Sequence, residues 1–247
     1  MIAEAFVRAG ARVLIASRKG SACEQAAAEL NSLGATGYAE GFSGDIATAE
    51  GVAALVEIVR ARTTRLDVLV NNAGRSWGEP FDSFPFEAWG RVMDLNVAGL
   101  FTLTRDLLDL LRAAASAESP ARVINLGSVM GSAPLGGQSW SYSASKAAVH
   151  HLTRILAKEL APHHVTVNAL APGPFETRMT AFAIGDKTGK AVTAASVPAQ
   201  RTGSPSDIAG AVLFLAGRAG AYTTGAILPV DGGISVQTGP ELFEHAH

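Results

Sequence analysis

Residues 122–160 read RVINLGSVMGSAPLGGQSWSYSASKAAVHHLTRILAKEL. The apolar run Arg122–Leu126 reads as a buried strand, and residues 141–161 read as a helix that Pro162 ends. A strand handing the chain to a helix is the repeating unit of an α/β fold. Tyr142 and Lys146 form an i, i+4 pair, so the phenol and the ammonium share one helix face. A cation placed there favours the phenolate and lowers the tyrosine from its ordinary value of about 10. Tyr142 is therefore a candidate acid–base group near neutral pH. Ser128 stands at the carboxyl end of the strand, where open α/β sheets place their ligands. A lysine one turn from a tyrosine is also what a solvated helix face looks like. The pair gains meaning only if the rest of the chain builds a nucleotide site around it.

Outward from this stretch, helical and strand patterns alternate. Residues 1–9 read as the tail of a helix closed by Gly10, followed by a strand over 12–17 and a helix over 21–33 that ends at Gly34. A strand is expected over 36–41 and an amphipathic helix over 48–62, with Val52, Leu55, Val56 and Val59 at helical spacing. Leu66–Val70 is an apolar strand that exits into Asn71-Asn72-Ala73-Gly74. Residues 85–112 read as one long helix or two abutting ones, broken near Asn96. Further strands are expected over 165–170 and 226–230, with a helix between them that Ser204 caps and Asp207 supports from N3. Residues 178–200 show no clear period, as in a mobile lid or substrate loop. Asp231-Gly232-Gly233 reads as turn chemistry. Continuous apolar strands between helices imply a parallel sheet covered on both faces, and the lack of a linker implies one domain over 1–247.

Composition narrows the function classes. The chain has 247 residues, is 48% hydrophobic and 17% charged, and carries a net charge of −2 with no long basic run. Nucleic acid and anionic membrane are therefore poor partners. Cys23 is the only cysteine, which excludes an intrachain disulfide and a cysteine-rich metal site and fits a reducing, cytoplasmic setting. No apolar stretch reaches the roughly 18 residues of a spanning helix. The amino-terminal residues lack the charged start and apolar core of a signal peptide. No metal site is expected.

The ordered set GDI at 44–46, NNAG at 71–74, Asn96, Ser128, YxxxK at 142–146 and PG at 172–173 resembles the short-chain dehydrogenase/reductase family over nearly the whole chain. The resemblance implies a Rossmann-type, doubly wound parallel sheet that binds NAD(H) or NADP(H). It implies that Tyr142 gives a proton to a substrate carbonyl. Lys146 would lower its pKa and bond the nicotinamide ribose, Ser128 would hold and polarise the carbonyl oxygen, and Asn96 would hold a water joining Lys146 to solvent. Asp45 and Ile46 would border the adenine. Asn72, Ala73 and Gly74 would bring backbone close to the cofactor, and Pro172, Gly173 and Thr177 would meet the nicotinamide and its phosphate. Each has a plainer alternative: a kinked helix for Asn96, a strand-end hydroxyl for Ser128, ordinary turns for Asp45, for NNAG and for Pro172-Gly173. Where an NAD enzyme of such a fold places an acid after its second strand, this chain has Ser17 followed by Arg18 and Lys19. No carboxylate would repel a 2′-phosphate and Arg18 can bind it, so NADP(H) is the expected cofactor.

The family also opens with a strand and a TGxxxGxG turn, and these residues contain neither. In the family's strand order 3-2-1-4-5-6-7, that strand lies between those at 12–17 and 66–70. Its absence would leave two buried edges without ladder partners, at about 1–3 kcal/mol per unpaired group. We expect the true start to lie upstream of Met1; a fragment with a compromised cofactor site is the alternative. Within the family, NALAPGPFETRMT and AGAYTTGAILPVDGG look most like 3-oxoacyl-[acyl-carrier-protein] reductases, particularly the branch linked to rhamnolipid synthesis. Gln138, Trp140, Phe182 and residues 178–200 are the expected substrate-facing groups, although Trp140 and Phe182 also suit simple packing. A sugar, polyol or steroid dehydrogenase is the alternative in the same class, and a non-catalytic scaffold serving as an oligomer partner is the alternative outside it. The resemblance further implies a homodimer or homotetramer built through residues 96–112 and 141–161.

Overall fold

The computed structural model describes residues 1–135, 137–177 and 179–237, apart from the side chains of Phe182 and Ala183. Six strands alternate with ten α-helices among them. The first half runs α1 (Ile2–Arg8), β1 (Arg12–Ser17), α2 (Gly20–Asn31), β2 (Tyr38–Ser43), α3 (Ala49–Arg60) and β3 (Val68–Asn71). Next come α4 (Glu87–Met93), a π-helical turn (Asp94–Gly99), α5 (Leu100–Asp106), α6 (Leu108–Ala114) and β4 (Ala121–Leu126). The chain then continues through α7 (Trp140–Leu160), β5 (Val165–Pro172), α8 (Ala181–Ile184), α9 (Lys187–Ala195), α10 (Pro205–Ala216) and β6 (Ile227–Val230). Every strand pairing is parallel. This is a Rossmann-type α/β architecture.

The strands fall into two sheets, β1-β2 and β3-β4-β5-β6, with no ladder joining β1 to β3 among the described residues. The division lies where the family's strand order leaves a place for a strand. The facing edges are buried only in part: Leu69 and Asn71 on β3 are buried as expected, whereas Val13, Leu14 and Ile15 on β1 and Val68 and Val70 on β3 retain some solvent contact.

Side chains carry the connection that the backbone does not. One core cluster contains Phe42 and Leu14 from the smaller sheet, Val52, Leu55, Val56 and Val59 from α3, and Leu69 and Val123 from the larger sheet. On the other face Ile2, Ala5 and Phe6 of α1 pack with Val68, Ile124, Val212 and Leu215. Val7 of the same helix faces Ala27, Ala39, Val13 and Ile15. Thus α1 and α3 each touch both sheets. A fully buried side chain such as Val7, Val52 or Leu111 contributes about 1.5–3 kcal/mol. Arg60 reaches from α3 to Asp109 of α6 with paired bonds of 2.6 and 2.9 Å, but these groups are surface-exposed and contribute little.

Most expected elements form within two residues of their expected bounds. β2 is displaced from 36–41 to Tyr38–Ser43 because its start is set by register, Arg12 opposite Tyr38. Residues 179–200 hold two helices instead of an irregular loop, and Asp186 caps the second, α9, by accepting the Gly189 N–H at 2.7 Å. The Ser204–Asp207 capping box forms as expected. Asp231 accepts the Gly233 and Ser235 N–H groups at 3.0 Å each, the expected turn chemistry. No helix among the described residues is long and apolar enough to cross a membrane.

The break expected near Asn96 is the π-helical turn, and it is tightly seated. A Cβ on Gly99 would fall 2.0 Å from the Ile46 carbonyl oxygen, so α5 enters its place only because that position is glycine. Gly99→Ala is expected to cost about 1–3 kcal/mol through forced backbone displacement. The check is a urea unfolding series, in which the midpoint should fall with an unchanged slope.

Candidate active site

The residues expected to carry chemistry lie where the parallel strands end. Ser17 closes β1, Asp45 follows β2, Asn72–Gly74 follow β3, Ser128 follows β4, and Pro172 and Gly173 stand at the end of β5. That edge is where open α/β sheets receive ligands. Helix α7 brings Tyr142 and Lys146 to the same place.

Lys146 is 4% exposed, and its ammonium donates to the Leu126 carbonyl oxygen at 2.6 Å. The same ammonium lies 5.6 Å from the centroid of the Tyr142 ring. Burial lowers Lys146 from its ordinary 10.5 to about 8. Burial also pushes the Tyr142 phenol up, and the Ser128 hydroxyl beside it pulls the other way. The lowering of Tyr142 expected from the i, i+4 spacing is therefore not what the chain itself produces. Removing a phenol from water disfavours the phenolate more than the neighbouring cation, itself tied to Leu126, favours it.

Asn96 is 1% exposed within the π-helical turn. Its Oδ1 accepts the Arg75 N–H at 2.8 Å, and its Nδ2 donates to the Arg75 carbonyl and to Ser145 Oγ, both at 2.9 Å. Ser145 Oγ in turn donates to the Tyr142 carbonyl at 2.7 Å. Both amide hydrogens are thus spent on structure, locking the turn after β3 onto α7. A Cβ on Gly74 would approach Lys146 Nζ at 3.6 Å and Asn96 Oδ1 at 3.7 Å, so the three residues share one space. Beneath them runs a buried polar row: Asn71 donates to Thr104 Oγ1 at 3.0 Å and to Asn125 Oδ1 at 2.9 Å, and Asn125 donates to Thr153 Oγ1 at 2.9 Å. These cross-links tie β3 and β4 between α5 and α7, with Asn71 Oδ1 alone in the row left without a partner among the described residues.

The remaining expected residues take simpler positions. Ser17 Oγ accepts from the Lys19 N–H at 3.2 Å and from Cys23 Sγ at 3.1 Å, and Arg18 is exposed with no carboxylate within ion-pair reach among the described residues. Asp45 accepts the Ala47 N–H at 3.0 Å, and Ile46 is buried. Thr177 lies in a hydroxyl cluster with Thr180, 3.0 Å away. Gln138 adopts φ 67°, and its carbonyl accepts the Glu79 N–H at 3.0 Å. Trp140 is 38% exposed, donates its indole N–H to the Glu79 carbonyl at 3.2 Å and meets Phe81 edge-on at 5.5 Å. The side chain of Phe182 lies outside the described residues. No group of three or more His, Cys, Asp and Glu suited to a metal ion occurs among the described residues.

Three participants escaped the motif reading. Ser145 joins Asn96 to α7, Arg75 supplies the backbone that Asn96 holds, and His150 stands buried behind Ser128. Only His150 carried a usable signal, since it lies four residues after Lys146 on the same helix face.

A parallel α/β sheet with a serine, a tyrosine and a lysine converging on its carboxyl edge defines a class of dinucleotide-dependent oxidoreductase fold. The family model described as enoyl-(acyl carrier protein) reductase matches residues 1–235. The rhamnolipids biosynthesis 3-oxoacyl-[acyl-carrier-protein] reductase of Pseudomonas aeruginosa is 45% identical, over 94% of this chain and 90% of that protein. A galactitol 2-dehydrogenase (L-tagatose-forming) of Cereibacter sphaeroides is 38% identical, over 95% of this chain and 89% of its own length. Among solved structures, the Pseudomonas aeruginosa RhlG/NADP active-site complex superposes with a TM-score of 0.90 at 44% identity, covering 95% of this chain and 90% of that one. The chain belongs to the short-chain dehydrogenase/reductase family.

The Lys146 environment makes a signed prediction. Between pH 8 and 10.5 the folded chain releases a proton that the unfolded chain keeps. The unfolded state binds more protons there, so stability rises with pH across that window. Lys146→Met should lack this component, which is read as the difference between the two proteins in urea unfolding at pH 7.5 and pH 10.

Proposed function

We propose that this chain is an NADP(H)-dependent reductase that converts the ketone of a 3-oxoacyl thioester-like substrate to an alcohol, with Tyr142 as the proton donor. One observation carries the reading: the half-buried Tyr142 phenol stands beside the Ser128 hydroxyl, its ring 5.6 Å from the buried Lys146 ammonium, at the carboxyl edge of the sheet. Burial weakens this phenol as an acid, but a ketone oxygen becoming an alkoxide is a stronger base than the phenolate, so the proton still passes to it. The 45% identity to a 3-oxoacyl reductase supports the substrate class.

The residues fit the two ends of such a cofactor. Lys146 has one acceptor, Leu126, for its three hydrogens among the described residues, which leaves donors for a ribose hydroxyl near Gly74. Arg18 is an exposed cation beside the Ser17 hydroxyl, a chemistry suited to a 2′-phosphate. Asp45 and Ile46 would border the adenine, and Asn72, Ala73, Pro172, Gly173 and Thr177 would line the path toward the nicotinamide. NADPH, when bound, would supply the hydride.

The chain's own residues do the rest. Ser128 donates a hydrogen bond to the ketone oxygen and stabilises the negative charge that develops there, a role that needs a donor already in place. Tyr142 transfers its hydroxyl proton to that oxygen as the carbon–oxygen π bond opens, which completes the alcohol. Lys146, lowered to about 8, is a proton source poised to restore the phenol. Asn96 keeps the Gly74–Arg75 turn and α7 in register, so that the donors stay aimed. Trp140, two residues ahead of Tyr142, and Phe81 form an exposed pair that suits contact with an acyl chain better than with a polyol. The galactitol dehydrogenase at 38% identity supports the polyol alternative. The groove of Met93, Val97, Ala98, Phe101 and Leu152, apolar apart from Asp94, supports association as a homo-oligomer.

Tyr142→Phe is expected to lower turnover by a factor of about a hundred or more while leaving the melting curve near that of the parent, because one proton is lost and little volume changes. A rate close to the parent's would remove Tyr142 from the role of acid. Arg18→Ala should weaken NADPH binding about tenfold and leave NADH nearly unchanged. Equal weakening of both in a fluorescence titration contradicts the 2′-phosphate assignment. A panel of 3-oxoacyl thioesters and keto-sugars decides the substrate, the thioesters being the expected winners.

A further inference from the structure

His150 lies one helical turn beyond Lys146 and is 4% exposed. Its Nε2 accepts the backbone N–H of Ser128 at 3.4 Å, and its Nδ1 lies 3.2 Å from Ser132 Oγ. An amide N–H can only donate, so Nε2 carries no proton and the neutral ring bears its proton on Nδ1. The ring reaches Ser128 through a gap kept by glycine: a Cβ on Gly127 would fall 2.3 Å from Nε2. Gly131 serves the same approach, since a Cβ there would lie 2.6 Å from the Lys146 carbonyl carbon. The exit of β4 is thus gripped twice from successive turns of α7. Lys146 donates to the carbonyl of Leu126, and His150 accepts from the N–H two residues on.

We propose that His150 is a positioning residue that aims the Ser128 hydroxyl, by holding the Ser128 backbone N–H from the turn of α7 that follows Lys146. The inference rests on the reading of Ser128 as the group that polarises the substrate carbonyl. Two bonds of opposite polarity, to Leu126 and to Ser128, fix both the depth and the rotation of the backbone between them. With that backbone fixed, Ser128 Oγ keeps its contact to the Met130 N–H at 3.2 Å and its place beside Tyr142. Burial, with Arg154 and Lys146 nearby, lowers His150 to about 4, so the acceptor persists through the neutral range. The turn at Ser128–Leu135 and strand β5 bring no titratable side chain to the ring.

The test compares His150→Leu, which fills the space without an acceptor, with His150→Gln, whose amide oxygen can replace Nε2. Each is measured alone and with Ser128→Ala, using a 3-oxoacyl thioester and NADPH. His150→Leu is expected to lower kcat about tenfold with the KM for NADPH unchanged, and His150→Gln to recover most of the loss. In the Ser128→Ala background the leucine substitution should change kcat less than about twofold, because the hydroxyl it acts through is gone. A full tenfold loss in that background, or parent kcat in His150→Leu, overturns the inference. Parent kcat in Ser128→Ala instead removes the role given to Ser128. A second readout needs no activity and stands if His150→Leu does not fold. Imidazole nitrogen NMR, assigned against His150→Gln, should show Nδ1 protonated and Nε2 bare from about pH 5.5 to about pH 8. A proton on Nε2 overturns the proposal whatever the kinetics.

Discussion

The ammonium of Lys146 lies 2.6 Å from the Leu126 carbonyl, and only 4% of the residue is exposed. A buried cation needs compensation, and one backbone oxygen supplies only part of it. The surrounding structure is arranged to keep that oxygen in place. β4 is paired on both sides, by β3 and β5, and every residue from Ala121 to Leu126 is buried. The turn over Val129–Gly131 packs against the backbone of α7 at a distance only glycine allows. What remains of the cost appears in the lysine's own chemistry, as a pKa near 8. The same burial that strains the lysine holds the proton on Tyr142. One cause, removal from water, thus shifts the two groups in opposite directions: it weakens the phenol as an acid and strengthens the ammonium as one.

The architecture around this centre is unevenly tied. The four strands β3–β6 form a continuous parallel ladder, and the groups expected to act in catalysis stand just after β4, on α7 and in the π-helical turn. The pair β1-β2 carries Ser17, Arg18 and Asp45, and it is joined to the rest by side chains of α1 and α3 rather than by a ladder. The residues proposed for the chemistry and those proposed for nucleotide selectivity therefore lie on different sheets. Hydrophobic contact is non-directional, whereas a ladder fixes register. The larger sheet accordingly has the more sharply defined frame.

Polar groups in the interior are used as fasteners. Asn96 spends its amide on Arg75 and Ser145, and Asn71, Asn125, Thr104 and Thr153 bond in a row beneath the site. A buried amide without partners costs more than an apolar residue would, so these side chains tolerate few alternative placements. The π-helical turn belongs to the same arrangement: it widens the helix where Asn96 turns toward Arg75, and Gly99 lets it close against Ile46.

Much of this was legible in the sequence. Alternating apolar strands and helices gave the parallel α/β class, since period and composition report burial on one face or two. The spacing of Tyr142 and Lys146, the place of Ser128 after a strand, and the break at Asn96 each follow from local geometry. The place where the sheet divides came from the family resemblance, through that family's strand order, and not from any local pattern. Other features depend on residues far apart in the chain. The register that shifted β2 belongs to its pairing with β1. The direction of the Tyr142 shift depends on how much water the packed core removes, which no i, i+4 rule contains. The partners of Asn96 are 21 and 49 residues away, and the contact of His150 with Ser128 spans 22. Periodicity along one element determines which face is buried. What that face meets, and how dry the meeting is, is decided only when the elements pack.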